Sequence, residues 1–242
     1  MIKRVFKITL SILIPVYLII VFFIFDNKKD NEICKDISIV IKDSVESPFL
    51  KVKDVEKGLL KIKDYPVGKS FSEINTYEIK KELEKNKIIK NAVVYKTPSG
   101  TLNIDIFQRN PILRVMGING DYYVDDNCEV MPVSYNFTAH LPIATGYVNN
   151  EIIHNGLFDF VMFIRKEKFW NSQIEQIHIT SDGEAELIPR VGEHVILLGN
   201  FDNYEQKLNN LFEFYKQGLN KKGWNLYKEI SLKYDKQVVG IK

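Results

Sequence analysis

The sequence has few of the residues that commonly carry catalysis or hold metals. It contains two cysteines and four histidines, and it has no HExxH, GxSxG or Cys-x-x-Cys arrangement. The acidic run DDNCE at residues 125–129 offers too few alternating oxygen ligands for a calcium loop, so it predicts a turn. We therefore expect no catalytic residues, no metal and no cofactor in this chain.

A loop that cradles phosphate is missing as well. Residues 195–207, VILLGNFDNYEQK, place an apolar run, a glycine and a helical stretch in the order seen at nucleotide sites. A dinucleotide fingerprint needs three glycines, and a P-loop needs a second glycine followed by lysine, whereas Gly199 stands alone. The stretch therefore predicts a turn between a strand and a helix. The net charge of +2 argues against a nucleic-acid-binding protein.

One long apolar run is present, close to the first residue. No charged residue occurs in residues 8–25, and residues 5–25 would span about 32 Å as a helix, enough for a bilayer core of about 30 Å. The run ends in FFIF, without the small residues of a signal-peptide cleavage site, so we expect an uncleaved anchor. Basic residues precede the run, which predicts a cytoplasmic tail at 1–7, a transmembrane anchor at 8–25 and a juxtamembrane linker at 26–36.

Residues 37–108 predict a small α+β domain of order β-α-α-β-β. Asn75 followed by Glu78 has the spacing of a helix N-cap, and Ile74 and Ile79 occupy the positions of a hydrophobic staple. A Pro-Ser-Gly turn joins the last two strands. The predicted elements are, in order, a strand at 37–41, helices at 51–60 and 75–86, and strands at 92–97 and 102–106.

Residues 109–242 predict a second domain, a mixed sheet with covering helices. We expect several short strands, a helix at 157–170, and a hairpin at Asp182-Gly183. A long amphipathic helix should follow Gly199, with Asp202 and Glu205 as a capping pair.

The final predicted strands lie within residues 227–241. A terminal strand often lies at a sheet edge, where unpaired backbone groups can accept a strand from another chain. An interior position, or an edge blunted by Lys233 and Lys236, is an equal alternative from the pattern alone.

Several motifs resemble the FtsQ/DivIB family of bacterial cell-division proteins, and their forms are most similar to the Bacteroidota branch. Their order and spacing match over nearly the whole chain. The chain departs from the family at Cys128, where a turn glycine is common, and at Ser231 and Lys233, where Asp and Arg are usual. The motifs are VKDVEKGLL at 52–60, the stretch 75–106, QRNPILRV at 108–115, GDYYVDDNCEVMP at 120–132, ILLGNFDNYEQKLNNLFEFY at 196–215 and EISLKYDKQVVGIK at 229–242.

The resemblance implies a single transmembrane helix, a POTRA-like domain at 37–108 and an FtsQ-type β domain at 109–242. It implies a non-enzymatic divisome scaffold in the inner membrane at the septum, with the N-terminus in the cytoplasm and the bulk in the periplasm. Such proteins bind FtsB, FtsL and other division proteins, and in the family a strand of FtsB adds to the terminal edge of the second domain. Carried over to this chain, the partner-binding residues are Lys233, Tyr234, Val238, Val239 and Ile241.

Two other functions fit parts of the sequence. POTRA-like modules also occur in envelope assembly and secretion factors, whose loss should deplete outer-membrane proteins rather than block division. A membrane-anchored hydrolase is the enzyme alternative, and it needs a Ser/His/Asp or metal set that the sequence does not offer.

Overall fold

The chain, here as a computed structural model, divides into two units, Met1–Gln108 and Arg109–Lys242. Each unit has its own hydrophobic core. The structure describes residues 12–22, 32–42, 48–62, 65–219, 221, 223–234 and 236–242.

The first described segment, residues 12–22, is helical, and its side chains are apolar and largely exposed. None of the helices in the described ranges combines the length and the apolar character that crossing a bilayer requires. The predicted anchor at 8–25 includes residues 8–11 and 23–25, which lie outside the described residues. The predicted tail at 1–7 and residues 26–31 of the predicted linker lie outside them too.

Within the described part of the first unit, three strands form a small sheet in the order β1-β3-β2. The strands are β1 (Asp36–Ile41), β2 (Ile89–Lys96) and β3 (Thr101–Gln108). The central strand β3 pairs parallel with β1 and antiparallel with β2. Helices α1 (Val52–Leu60) and α2 (Thr76–Glu84) lie between β1 and β2 in sequence, which confirms the predicted β-α-α-β-β order.

Alternation along β3 determines which face of the small sheet is covered. Leu102, Ile104 and Ile106 are fully buried and share one core with Leu59 of α1 and Leu83 of α2. The residues between them in β3 are half-buried, so the helices cover one face of the sheet and leave the other without a helix in the described part of this unit.

The start of α2 follows the predicted capping chemistry. The Asn75 side chain accepts hydrogen bonds from the backbone N–H groups of Tyr77 and Glu78, at 3.1 and 3.3 Å. Ile74 and Ile79 are both buried, as a hydrophobic staple requires. The helix ends at Glu84, two residues before the predicted end.

In the described part of the second unit, nine strands form a mixed sheet, called the large sheet below, in the order β12-β11-β10-β9-β8-β7-β4-β5-β6. The neighbours β4/β7, β7/β8 and β10/β11 are parallel, and the other neighbours are antiparallel. This confirms the predicted mixed sheet. The strands are β4 (Pro111–Gly117), β5 (Gly120–Asp125), β6 (Val130–Pro132), β7 (Ile143–Gly146), β8 (Ile174–Ile179), β9 (Ala185–Pro189), β10 (Val195–Gly199), β11 (Glu229–Ser231) and β12 (Val239–Ile241).

The helices of the second unit bury their apolar faces in the same core as the strands. Phe160 contacts the rings of Phe201 and Tyr204 at centroid distances of 5.5 Å. The helical segments are α3 (Asn150–Ile152), α4 (Phe158–Lys166), α5 (Lys168–Gln173), α6 (Tyr204–Phe214) and a π-helical turn (Tyr215–Leu219). Residues Ile153–Leu157 form a kink between α3 and α4, because Asn155 and Gly156 leave helical geometry.

The prediction of one continuous helix at 157–170 is wrong. Glu167 has extended backbone, with φ −86° and ψ 108°, and separates α4 from α5. Buried Leu157, Phe160 and Ile164 define the inner face of α4, and a continuous helix would place Trp170 about 120° around the helix axis from Ile164, away from that face. The break at Glu167 lets Trp170 turn into the core, where it is 4% exposed.

The predicted capping pair of α6 is also wrong. The N-cap is Asn203, in the left-handed region at φ 51°, and no side chain caps the helix. Asp202 instead accepts a hydrogen bond from the Asn200 side chain at 2.6 Å. The last two strands do form an antiparallel pair, although each is shorter than predicted.

Candidate functional site

One end of the large sheet is built from β10, β11 and β12. The buried Ile230 of β11 lies opposite Ile196 of β10 and opposite Gly240 of β12. Backbone hydrogen bonds from Val195 N–H to the Lys228 carbonyl (2.8 Å) and from Leu232 N–H to the Leu197 carbonyl (2.9 Å) extend the pairing of β10 with β11. β11 is therefore fixed to the core.

β12 is the outer strand at this end of the large sheet. It pairs with β11 on one side, and within the described residues no strand pairs with its other side. A strand paired on one side presents unpaired N–H and C=O groups on the other, where an extended peptide can continue the ladder. The position of β12 decides between the edge and interior alternatives in favour of an edge.

Gly240 of β12 faces the helix-covered side, where the ring of Tyr227 lies against it. A Cβ atom at position 240 would come within 2.6 Å of two ring carbons of Tyr227. Tyr227 in turn contacts Phe214 of α6, with ring centroids 5.9 Å apart. The absence of a side chain at Gly240 thus lets the edge strand lie flat on an aromatic pair.

The structure brings the five predicted partner-binding residues into one segment. Val239 and Ile241 lie on β12, on the face opposite Gly240, with 36% and 42% of their surface exposed. Lys233 and Tyr234 lie between β11 and β12 and are exposed, whereas Val238 is half-buried against the core. The five residues therefore fall within nine positions of the chain, 233–241, with Val238 facing inward.

Lys233 already has a charged partner. Its ammonium group forms an ion pair with Glu184, in the turn before β9, and its stem lies over Gly199 at the end of β10. The Glu184 carboxylate raises the pKa of Lys233. Gly199 has φ +76°, so it turns the chain as predicted and leaves room for this lysine.

Lys207 holds the start of α6 onto the end of β10. Its ammonium donates hydrogen bonds to the carbonyl oxygens of Leu198 and Asn200, at 3.1 and 2.8 Å, and to the Asn200 side-chain oxygen at 2.9 Å. Burial lowers the pKa of Lys207, and the charges of Asp202 and Glu184 oppose that shift. Sequence reasoning assigned Lys207 no role, because its acceptors are backbone groups that meet only in the fold.

A polar cavity of about 270 Å³ lies between the first turns of α6 and residues 232–234 and 236–237. Lys207, Lys233 and Tyr234 are among its lining residues. The cavity adjoins the segment that leads into β12.

The opposite edge of the large sheet is β6. The turn before it, DDNCE, is organised by the buried carboxylate of Asp125, which accepts from Arg109 at 2.8 Å and from the N–H groups of Asn127 and Glu129 at 2.9 and 2.8 Å. Cys128 has φ 61° in this turn, the conformation that favours glycine. Cys34 and Cys128 are both free thiols.

Among the residues that the structure describes, no group of three or more His, Cys, Asp or Glu side chains could hold a metal ion. The fold and the β12 edge therefore carry the functional assignment.

Comparison with protein families matches both units. The model of the FtsQ/DivIB, C-terminal related domain matches residues 110–241, more than half of the chain. The chain belongs to the FtsQ/DivIB-related family. A POTRA-like domain matches residues 32–107. A search of curated proteins returned no significant match.

Membership in the FtsQ/DivIB-related family confirms the resemblance seen in the motifs. The family consists of non-enzymatic division proteins, and its two domains indicate a cell-division scaffold that works through protein–protein interactions at the division site. The POTRA-like match and the α+β architecture confirm the predicted fold class apart from its membrane helix.

Proposed function

We propose that this protein is a non-enzymatic, single-pass membrane scaffold of the bacterial divisome that receives a β-strand from an FtsB-like partner along β12. The observation that carries the proposal is the outer position of β12, with Val239 and Ile241 exposed on one face. Main-chain hydrogen bonds supply affinity in strand addition, and alternate side chains set the register. FtsL-like proteins bind at the same C-terminal edge.

Membrane anchoring is part of this proposal. Residues 12–22, ILIPVYLIIVF, contain no charge, are helical, and expose most of their apolar side chains. An exposed apolar helix is costly in water and favourable in a bilayer. We place the anchor at 8–25, with the N-terminus in the cytoplasm and both folded units in the periplasm.

The structure refines the proposed role of Lys233. Because its ammonium is paired with Glu184, an acidic partner residue has to compete with that carboxylate or join it around one cation. Lys233 and Glu184 have exposed side chains, and such pairs contribute only about 0.2–1 kcal/mol, so exchange is inexpensive. We therefore assign Lys233 to orientation of the partner and the β12 backbone to affinity.

The test compares one substitution at the two edges of the large sheet. Val239→Glu places a charge on the exposed face of β12, and Val130→Glu does the same on β6, where Val130 is 45% exposed. We expect Val239→Glu to abolish co-purification of FtsB- and FtsL-like proteins with the full chain, while Val130→Glu retains them. Equal retention by both variants would contradict binding along β12.

Depletion in cells separates the division role from the alternative of an envelope assembly factor. A divisome scaffold gives filamentous cells on depletion, with outer-membrane protein levels preserved. Loss of outer-membrane proteins in cells that still divide would favour the assembly or secretion role instead.

A further inference from the structure

A second polar recess lies in the second unit, away from β12. It is a cleft of about 480 Å³, called the arginine cleft and defined by its polar lining residues His140, Arg165, Asn171, Ser172 and Arg190. Strand β8 begins at this cleft. Three strands of the large sheet lie between β8 and β12, namely β9, β10 and β11. Nothing in the proposed strand addition uses these residues.

The topology of the large sheet creates the arginine cleft. β4, β7 and β8 run parallel, so they begin at the same end of the sheet. Pro142 before β7 and Ile174 at the start of β8 form its apolar floor. The break after α4 turns α5 across this end, which brings Asn171 and Ser172 to the rim.

A backbone hydrogen bond holds Arg190 beside the arginine cleft. Its N–H donates a 2.7 Å hydrogen bond to the carbonyl of Gln173, the last residue of α5. The Arg190 side chain is exposed and lines the cleft. Two cationic side chains from distant parts of the sequence therefore line one recess.

Ion pairing distinguishes these arginines from the other two in the second unit. Arg109 pairs with Asp125 at 2.8 Å, and Arg114 makes two hydrogen bonds to Asp121, at 3.0 and 2.7 Å. Within the described residues, Arg165 and Arg190 have no ion pair, and no acidic residue lines the cleft. The two unpaired arginines therefore line the same cleft.

Arg165 is half-buried with most of its hydrogen-bonding capacity unused. Its one side-chain hydrogen bond in the described structure goes to the Ile112 carbonyl, at 3.4 Å. Burial lowers its pKa, and the charge of Asp126 opposes that shift. A guanidinium has five N–H donors in a fork that matches oxyanions, so a half-buried arginine facing an open cleft is suited to binding one.

We propose that the arginine cleft binds a phosphate monoester, either that of a phosphorylated small molecule or that of a lipid headgroup. Two guanidinium groups balance the charge of about −1.5 to −2 on a phosphate monoester. Asn171 and His140 add further hydrogen-bonding groups, so the lining can serve the three oxygens of a phosphate monoester, one more than a carboxylate presents. The cleft is larger than a bare ion, so the phosphate should carry an organic group.

The test is calorimetric titration of the full chain, in neutral detergent and phosphate-free buffer, with glycerol 3-phosphate. We expect saturable binding with Kd of about 1 mM or tighter. Arg165→Gln and Arg190→Gln should each weaken it by about tenfold or more, because charge-assisted hydrogen bonds contribute about 1.5–3 kcal/mol. Arg114→Gln removes the same charge from a paired arginine and should leave Kd within about twofold of the wild-type value.

Three results would overturn the proposal: no saturable binding, equal weakening by Arg114→Gln, or succinate binding as tightly as glycerol 3-phosphate. Near-ultraviolet circular dichroism verifies the fold of each variant. If Arg165→Gln does not fold, Arg190→Gln decides alone, because the Arg190 side chain is exposed.

Nanodiscs distinguish the two sources of the phosphate. If a lipid headgroup occupies the cleft, glycerol 3-phosphate should bind several-fold more weakly in phosphatidic acid discs, whose headgroup is a phosphate monoester, than in anionic phosphatidylserine discs. If the natural ligand is soluble, the two affinities should agree. Either result supports a phosphate site, provided that Arg190→Gln weakens binding in both kinds of disc.

Discussion

The two edge strands of the large sheet, β6 and β12, differ in the residues that hold them and in their ability to accept a further strand. The β6 edge ends in Pro132, which has no N–H to offer a further strand, and the turn before it is fixed by the buried Asp125–Arg109 pair. The β12 edge has no proline, and its contacts are the short pairing with β11 and the Tyr227 ring on Gly240.

The two edges therefore differ in how readily they can pair with a strand of another chain. Proteins usually blunt exposed sheet edges, because an unpaired strand is a template for pairing with other chains. Both edge strands are only three residues long, but β6 also carries a proline, whereas β12 lacks a proline and presents exposed Val239 and Ile241. In the proposed function, a partner strand occupies this open edge.

The largest expected effect comes from breaking the β6 side. Asp125→Ala leaves the Arg109 guanidinium without its carboxylate and removes two hydrogen bonds that hold the turn. Because unpairing a buried charge is costly, the free energy of unfolding should fall by about 3–5 kcal/mol. Urea unfolding followed by tryptophan fluorescence measures this, since Trp170 and Trp224 both lie in the second unit.

Asn127→Ala is the control for the Asp125 prediction. It alters the same turn but keeps the carboxylate, and the Asn127 backbone N–H can still bond to it. We expect a loss below about 1 kcal/mol, as for most exposed positions. Comparable losses for the two variants would mean that the ion pair does not hold this edge.

Gly240→Val on β12 should lower the free energy of unfolding by less than Asp125→Ala does, but it should abolish binding of the partner. Valine favours strands, so any loss has to come from the Tyr227 ring, which lies 2.6 Å from the new Cβ. Overpacking of this kind costs about 1–3 kcal/mol and should displace β12. Co-purification of the FtsB-like partner should be lost, and adding Tyr227→Ala should restore part of it. Normal partner binding by Gly240→Val alone would show that β12 is not held as described.

The smallest expected effect is a dependence of the free energy of unfolding on pH. It arises from a histidine beside β10, at the β12 end of the large sheet. His194, just before β10, is 1% exposed, and its Nε2 lies 2.8 Å from the Tyr215 hydroxyl, while its Nδ1 lacks a hydrogen bond of normal geometry in the described structure. Burial lowers the pKa of His194. Trp224, in the segment that leads to β11, stacks on its ring at 6.5 Å.

The sign of the pH effect follows from proton binding. Below the ordinary histidine pKa of about 6.5, His194 is protonated in the unfolded chain but stays neutral in the folded chain until the pH reaches its lower folded pKa. Because the unfolded state then binds more protons, stability should fall as the pH drops from 6.5 to that folded pKa. One proton gives a slope of at most about 1.4 kcal/mol per pH unit. Urea unfolding between pH 7.5 and 5 should show this slope in the wild type and less of it in His194→Leu. An unchanged slope in His194→Leu would exclude His194 as its source.

Local chemistry made part of this fold predictable from the sequence. Asn75 caps α2 and the Asp182-Gly183 turn joins β8 to β9, because each device acts within a few residues. The order of the strands was not predictable in the same way. The parallel neighbours β4/β7 and β10/β11 are joined by long connections, and no local signal fixes which strands meet.

The candidate site likewise has a part that the local sequence predicts and a part that depends on tertiary contacts. The pattern of residues 227–241 indicated a terminal strand pair, yet only the assembled sheet determines that β12 is its outer member. The Lys233–Glu184 pair joins residues 49 positions apart, and the acceptors of Lys207 are backbone carbonyls. The break at Glu167 depends on where the core admits Trp170. These features require tertiary contacts that spacing alone does not encode.

Hydrogen–deuterium exchange on the full chain, with and without the FtsB-like partner, tests the central claim most directly. The backbone amides of residues 239–241 should exchange more slowly when the partner is bound, because a new strand satisfies the open side of β12. Residues 130–132 of β6 should exchange at the same rate in both samples. Protection at β6, or unchanged exchange at β12 in a sample where the complex has formed, would contradict strand addition at this edge.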